Sequence, residues 1–346
     1  NASGARHSRR EAPMADAALG DADPGTRVIR DIGRWLGRDQ RVWLCTVVRT
    51  WGSSPRPPGS LLAVNAQGEW TGSVSGGCLE EQLIRQASEE SEPGVAPRIV
   101  DYGVTEADQT QWRLPCGGRM RLVVESLDPE RHTVPVSMLL EAIDERRPVT
   151  RRVNLTTGEW RFVPHSVPET VEETDDALLH TLGPQARMLL IGAGEVARYV
   201  ARIAMMNGFS VTLCEPRELF LQGWHEPGVE IRESLPDDLV REEFNDAYCA
   251  ILALGHDPRI DDMGLLAALE SDAFYIGAMG SQRTAAQRRE RLHQLGVTDS
   301  RMGRLHAPIG FQIGSKSPPE IAVAAMAQVL AERHRLLRRM IRSHPE

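Results

Sequence analysis

Cys78 and Cys116 are the residues of this chain whose surroundings best suit chemistry. Cys78 lies in Gly72–Glu80 (GSVSGGCLE), directly after Gly76 and Gly77, and Cys116 precedes Gly117 and Gly118. The run Leu79–Ala87 puts Leu79, Leu83 and Ile84 on one face and Glu80, Glu81 and Arg85 on the other, which predicts a helix entered through glycine. Backbone N–H groups at a helix start attract anions and lower the pKa of a thiol placed there. A thiolate beside an anion cradle suits sulfur or metal chemistry. The same residues also read as a glycine turn followed by a small core cysteine. Glycine lets backbone approach a ligand at both cysteines, whereas Cys45, Cys214 and Cys249 sit in apolar strand patterns and read as inert core.

A second set of residues surrounds the first. Ser53, Ser54 and Arg56 belong to a proline-stiffened loop, Trp51–Gly59 (WGSSPRPPG), where Arg56 could pair bidentately with a phosphate or simply anchor the loop. Ser53, Ser54 and Ser75 could donate to a ligand or serve as turn and cap residues. In the second half, Gly192-Ala193-Gly194-Glu195-Val196-Ala197 fits G-x-G-x-x-A between a short apolar strand, Arg187–Ile191, and a helix. Glu215 ends the next strand 21 residues after Gly194, where it would accept from a ribose hydroxyl while the glycines admit a pyrophosphate. Gly280 and Ser281 follow another buried strand. His256, His306 and Arg283 fall where the crevice of such a sheet opens, although a lone histidine after a strand more often makes a local hydrogen bond.

These residues need elements to position them. Val28, Ile29, Ile32, Trp35 and Leu36 fit one face of a helix, and Val42–Thr50 reads as a buried strand. Strands follow at 61–64, 69–74, 98–102 and 120–125, then a helix over 134–143 and a hairpin of 149–153 with 160–163. His165–Asp176, with two prolines and a run of acids, reads as the linker or its approach, giving a boundary region at 165–186. From 187 onward, strands at 187–191, 211–214, 247–254 and 274–277 alternate with helices and predict a doubly wound parallel sheet with its ligand site at the strand C-terminal ends. Ser317-Pro318-Pro319-Glu320 is a capping box that opens a last helix. The expected architecture is α/β: a mixed α/β domain over 27–164 and a Rossmann-like domain over 187–346.

Composition narrows the function classes. With 346 residues the chain has room for two cores, and 40 basic against 48 acidic residues, net −8, gives no electrostatic footprint for nucleic acid. Five cysteines without a CxxC pair or zinc spacing indicate a reducing compartment. No apolar run is long enough to span a bilayer, so a cytoplasmic protein is expected, with residues 1–26 as a polar leader.

The motifs together resemble the XdhC/CoxI family of accessory proteins for xanthine dehydrogenase and related molybdenum hydroxylases. GSSPRPPG, GSVSGGCLE and CGG look like the signatures of its first half, and LLIGAGEVA, YIGAMGS, HAPIG and PEIAV like its Rossmann-type domain. Two positions depart from the pattern: Glu195 stands where the family often has His, and Glu215-Pro216-Arg217 where it often has Asp-x-Arg. The resemblance implies a protein that binds molybdenum cofactor, as molybdopterin or its dinucleotide, supports its sulfuration and passes it to a hydroxylase such as xanthine dehydrogenase. A cysteine desulfurase would be a partner, and a homodimer would shield the loaded site. Under this reading Cys78 and Cys116 are candidate ligands of the molybdenum cofactor. Ser53, Ser54, Arg56, Ser75, Gly76, Gly77, Gly117, Gly192, Gly194, Glu215, Gly280 and Ser281 are its candidate contacts. The competing readings are an NAD(P)-dependent oxidoreductase built on Gly192, Gly194 and Glu215, and an adaptor that binds no cofactor.

Overall fold

The computed structural model describes residues 24–52, 56–77, 79–89, 94–103, 119–164, 171–255 and 257–342. Helix α1 (Pro24–Leu36) lies on a five-stranded antiparallel sheet of β1 (Val42–Trp51), β2 (Leu61–Asn65), β3 (Trp70–Gly72), β4 (Arg98–Tyr102) and β5 (Arg119–Leu127), in the order β3-β2-β1-β5-β4. Both faces of β1 are covered, which explains its near-continuous apolar sequence. Helix α2 (Glu80–Glu89) begins one residue later than the periodicity suggests. Val42, Leu44 and Val48 face α1 and α3 (Pro129–Asp144), while Trp43, Cys45 and Val47 face the opposite side, where Leu79 and Leu83 of the α2 region pack.

The stretch expected to be a linker is partly sheet. β8 (Val171–Glu173) and β9 (Ala177–Leu182) join β6 (Val149–Asn154) and β7 (Trp160–Pro164) in a four-stranded antiparallel sheet ordered β7-β6-β9-β8. Leu178 and Leu182 are buried in the same core as Val42, Leu44 and Trp160, so burial outweighs the local signal of acids and prolines. Residues 165–170 lie outside the described residues. A fully buried ion pair ties this sheet to the first: Arg151 on β6 donates to Glu125 on β5 (2.8 and 3.1 Å) and to Thr46 on β1 (3.0 Å). Trp160 Nε1 also donates to Glu125 (2.8 Å), and the Arg151 guanidinium lies 4.7 Å from the Trp160 ring centroid.

The second half is a six-stranded parallel sheet, ordered β12-β11-β10-β13-β14-β15, from β10 (Arg187–Ile191), β11 (Ser210–Cys214), β12 (Val229–Arg232), β13 (Cys249–Ala253), β14 (Tyr275–Ala278) and β15 (Leu305–His306). Helices α4 (Glu195–Met206) and α10 (Pro318–Arg342) cover one face, with Val200, Ala204, Ala322 and Met326 packed on Met188, Leu190, Leu213 and Leu252. A short helix α5 (Glu218–Leu221) follows β11, and another, α9 (Asp299–Met302), precedes β15. Helices α6 (Pro236–Glu243), α7 (Pro258–Glu270) and α8 (Gln282–Gln294) cover the other face through Leu239, Leu265 and Leu292. The chain leaves β10 in one direction and resumes at β13 in the other, so a switch point, and a crevice, lies between their C-terminal ends.

The two halves are joined by residues 183–186 between β9 and β10 and by a clasp. Arg146 follows α3 in the left-handed region (φ 60°) that commonly ends helices. It donates to Asp246 through Nε (2.6 Å) and Nη2 (2.9 Å) and to the Gln185 carbonyl (3.0 Å). Among the described residues, no helix is long and apolar enough to cross a membrane.

Candidate functional site

The loop before α2 is built around its own carboxylate. Gly76 (φ 82°) and Gly77 (φ 129°) turn the backbone through conformations that side-chain-bearing residues rarely adopt, so that consecutive N–H groups converge. Glu80 fills the concavity. Its Oε1 accepts from Val74 N (2.9 Å), Ser75 N (2.8 Å), Gly76 N (3.2 Å) and Ser73 Oγ (2.7 Å), and its Oε2 from Gly77 N (2.8 Å) and the Ser75 hydroxyl. The N–H groups expected to face an external anion are therefore donated to the protein itself, because a carboxylate three residues downstream reaches back as in a capping box. Burial raises the carboxyl pKa, but the Ser75 and Ser73 hydrogen bonds outweigh it and hold Glu80 at about 2. Arg56 joins this site, with Nε donating to Ser73 Oγ (3.2 Å). Arg56, Ser75, Gly76 and Gly77 are thus brought together. Ser53, Ser54, Cys78, Cys116 and Gly117 lie outside the described residues.

The second site is the crevice at the switch point. Gly192 (φ 101°) turns the chain out of β10 so close to the neighbouring strand end that a Cβ would lie 2.6 Å from Gly255 Cα. Gly194 caps α4 without a side-chain bond, and its carbonyl accepts from Trp224 Nε1 (3.2 Å). A cavity of about 560 Å³ opens above this turn, lined by Gly192, Gly194, Glu215, Arg217, Phe220 and Asp257 among others. Glu195 is exposed at the first turn of α4.

Glu215, the expected ribose acceptor, is buried and already engaged. Oε1 accepts from Arg217 N (3.2 Å) and Nε (2.7 Å), and Oε2 accepts from Arg217 Nη2 (2.9 Å) and Ala193 N (3.3 Å). Burial pushes its pKa up, and the hydrogen bonds from Arg217 and Ala193 more than reverse this, so it stays ionised. Arg217 stands out in the sequence only as part of Glu215-Pro216-Arg217, with no role of its own, although Glu-x-Arg at a strand end signals such a pair.

A second lobe of about 610 Å³ shares Gly255 and Pro258 with the first. Met279, Gly280, Thr284, Pro308, Ile309 and Phe311 contribute to its wall. Its floor is a buried ion cluster in which Arg288 donates to Asp261 (2.8 Å), Asp262 (3.0 Å) and the Met279 carbonyl (3.0 Å). Gly280 lines the lobe, whereas Ser281 acts as the N-cap of α8, accepting from Thr284 N (3.1 Å). His306 stacks on Tyr275 at 4.7 Å, and burial lowers its pKa, so it is a neutral packing partner. His256 lies outside the described residues, and Arg283 is exposed on α8.

Cys45, Cys214 and Cys249 are buried, and burial pushes each thiol up to about 12, far from the thiolate that ligation requires. Among the described residues, no group of three or more His, Cys, Asp or Glu side chains is placed to hold a metal ion.

Comparison with known proteins agrees with this layout. Residues 35–103 match the XdhC and CoxI family, and residues 188–329 match the XdhC Rossmann domain. The molybdenum cofactor insertion chaperone PaoD of Escherichia coli (strain K12) is 26% identical over 296 residues, covering 84% of this chain and 83% of that protein. A probable xanthine dehydrogenase subunit of Bacillus subtilis (strain 168) is 24% identical over 319 residues, covering 85% of this chain and 93% of that protein. A crystal structure described as a xanthine dehydrogenase from Bacillus halodurans superposes with a TM-score of 0.71 at 23% identity, covering 94% of this chain and 97% of that one, and shares the fold. With the glycine loop of α2 inside the first matched stretch and the whole crevice inside the second, the chain belongs to the XdhC/CoxI family.

Proposed function

We propose that this protein binds molybdenum cofactor as cargo, supports its sulfuration, and delivers it to a molybdenum hydroxylase of the xanthine dehydrogenase type. The relative named as a molybdenum cofactor insertion chaperone supports this reading. The observation that carries it is the two-lobed crevice at the switch point. The cargo is a pterin dithiolene with a phosphate, sometimes extended by a nucleotide. The glycine turn at Gly192 and the first N–H groups of α4, which have no acceptor within the helix, suit the phosphate end. The other lobe, apolar at Met279, Ile309 and Phe311 and polar at Thr284 and Gln312, suits a flat heterocycle that stacks on its faces and hydrogen-bonds at its edge. Cys78 and Cys116 are the proposed thiolate ligands, since thiolate suits a soft metal centre and the three described cysteines are buried thiols. A cysteine desulfurase as sulfur donor, and a homodimer formed through the first domain to shield the cargo, complete the proposal.

Equilibrium dialysis of the full chain against molybdenum cofactor, NAD and NADP tests it. Retention of molybdenum cofactor, weakened in Cys78→Ser and more so in Cys78→Ser/Cys116→Ser, is the expected result. Substrate-dependent reduction of bound NAD(P), without cofactor retention, would overturn it. Light scattering reports the dimer.

A further inference from the structure

The usual Rossmann site recognises a dinucleotide ribose through an acidic residue at the end of the second strand. Here that residue has no capacity left. A carboxylate offers about four acceptor positions, and Glu215 uses four: two on Oε1 for Arg217 N and Nε, and two on Oε2 for Arg217 Nη2 and Ala193 N. A ribose diol entering the lobe would have to break one of these bonds at a buried carboxylate.

The group that does face the lobe is the far edge of Arg217. Its Nε and one Nη2 proton are committed to Glu215, which fixes the guanidinium plane, and the guanidinium carbon lies 4.0 Å from the Phe220 ring centroid. Nη1 comes no nearer than 3.6 Å to Asp257, beyond hydrogen-bonding range. Asp257 is itself paired with Arg259 (2.9 Å) and caps α7 by accepting from Arg259 N (3.0 Å). The Nη1–Nη2 edge is thus a pre-oriented fork with unspent donors lining the cavity, a geometry that matches the oxygens of a phosphate.

We infer that the glycine-turn lobe selects a ligand bearing a phosphomonoester, gripped end-on by Arg217, over one presenting a free ribose diol or a phosphodiester. This rests on the reading of the crevice as the cargo site and names the chemistry it recognises. Such a group could come from the phosphate of the unextended pterin cofactor or from the 2′-phosphate of an adenosine nucleotide.

Calorimetric titration of the full chain with three matched pairs separates these sources: 2′-AMP against adenosine, NADP against NAD, and phosphate-terminated against nucleotide-extended molybdenum cofactor. In at least one pair the phosphomonoester is expected to bind about tenfold tighter or more, as a charge-assisted hydrogen bond provides. Arg217→Gln should abolish that preference while leaving the other member of the pair within about twofold. Because Arg217→Gln strands a buried carboxylate, Glu215→Gln/Arg217→Gln is measured beside it and should lose the same preference. Preference in the adenosine pairs assigns the 2′-phosphate, and preference in the cofactor pair alone assigns the pterin phosphate. Equal affinities in all pairs, a reversed order, binding of no probe, or a preference surviving in both variants would overturn the inference. Retention of cofactor without discrimination would leave the delivery reading standing, and discrimination without cofactor retention would remove it.

Discussion

Glu80→Gln isolates the charge at the centre of the Ser73–Gly77 loop, because glutamine keeps the length of the side chain and cannot ionise. Six hydrogen bonds converge on the carboxylate, and its pKa stands at about 2 in place of the ordinary 4.5. At about 1.4 kcal/mol per pH unit, that difference stabilises the closed loop by about 3 kcal/mol at neutral pH. The folded pKa lies below the unfolded one. The contribution is therefore complete above pH 4.5 and declines as the pH falls toward 2. Hydrogen exchange of a peptide spanning 73–83, corrected for intrinsic rates, reads the opening directly. At pH 7 the variant should open about 100-fold more readily, and by about pH 3 the gap should shrink to less than half in free energy. A gap that stays constant with pH, or one below about 0.5 kcal/mol at neutral pH, would refute the reasoning.

Three further perturbations test other parts of the structure. Arg151→Ala strands the buried Glu125 carboxylate and should destabilise the first domain by about 3–5 kcal/mol, seen as a lower Tm by calorimetry, with Glu125→Leu/Arg151→Met recovering most of the loss. Arg146→Ala removes two charge-assisted hydrogen bonds to Asp246 of the second half and one to the Gln185 carbonyl of the junction, and should accelerate proteolytic cleavage within 183–186, whereas Arg30→Ala, at an exposed ion pair, should not. Gly192→Ala meets Gly255 at 2.6 Å and should lower Tm together with cofactor retention, while Gly194→Ala, with its nearest neighbour at 3.7 Å, should leave Tm unchanged.

Much of this architecture is legible in the residues alone. The second sheet announces itself because parallel strands buried on both faces must be continuous apolar runs, and Met188–Ile191 and Cys249–Ala253 are such runs. The glycine turn at 192–194 is readable from its strand-to-helix setting. β8 and β9 are not, since Ala177–Leu182 follows acids and prolines and owes its order to Leu178 and Leu182 entering a core assembled from distant segments. β12, four residues at a sheet edge with two exposed positions, carries too little pattern to stand out. In the sites, residue types are readable and commitments are not. Gly76, Gly77 and Glu215 are where the motifs place them, but which lone pairs are taken depends on Glu80 folding back over three to seven residues and Arg217 over two.

For the delivery role proposed above, the junction between the halves limits how cargo could leave. A delivery protein is easily pictured as two beads on a flexible string, yet four residues, 183–186, reach at most about 14 Å when fully stretched. One of them, Gln185, is pinned through its carbonyl by Arg146. β9 is tied into one sheet and β10 into the centre of the other, so any slack must be won by tearing ladder hydrogen bonds. The tether is too short to serve as an arm. In the delivery role proposed above, discharge would fall to what borders the crevice itself, chiefly the segment 307–315 that walls its larger lobe, and a client would act by prising at that wall.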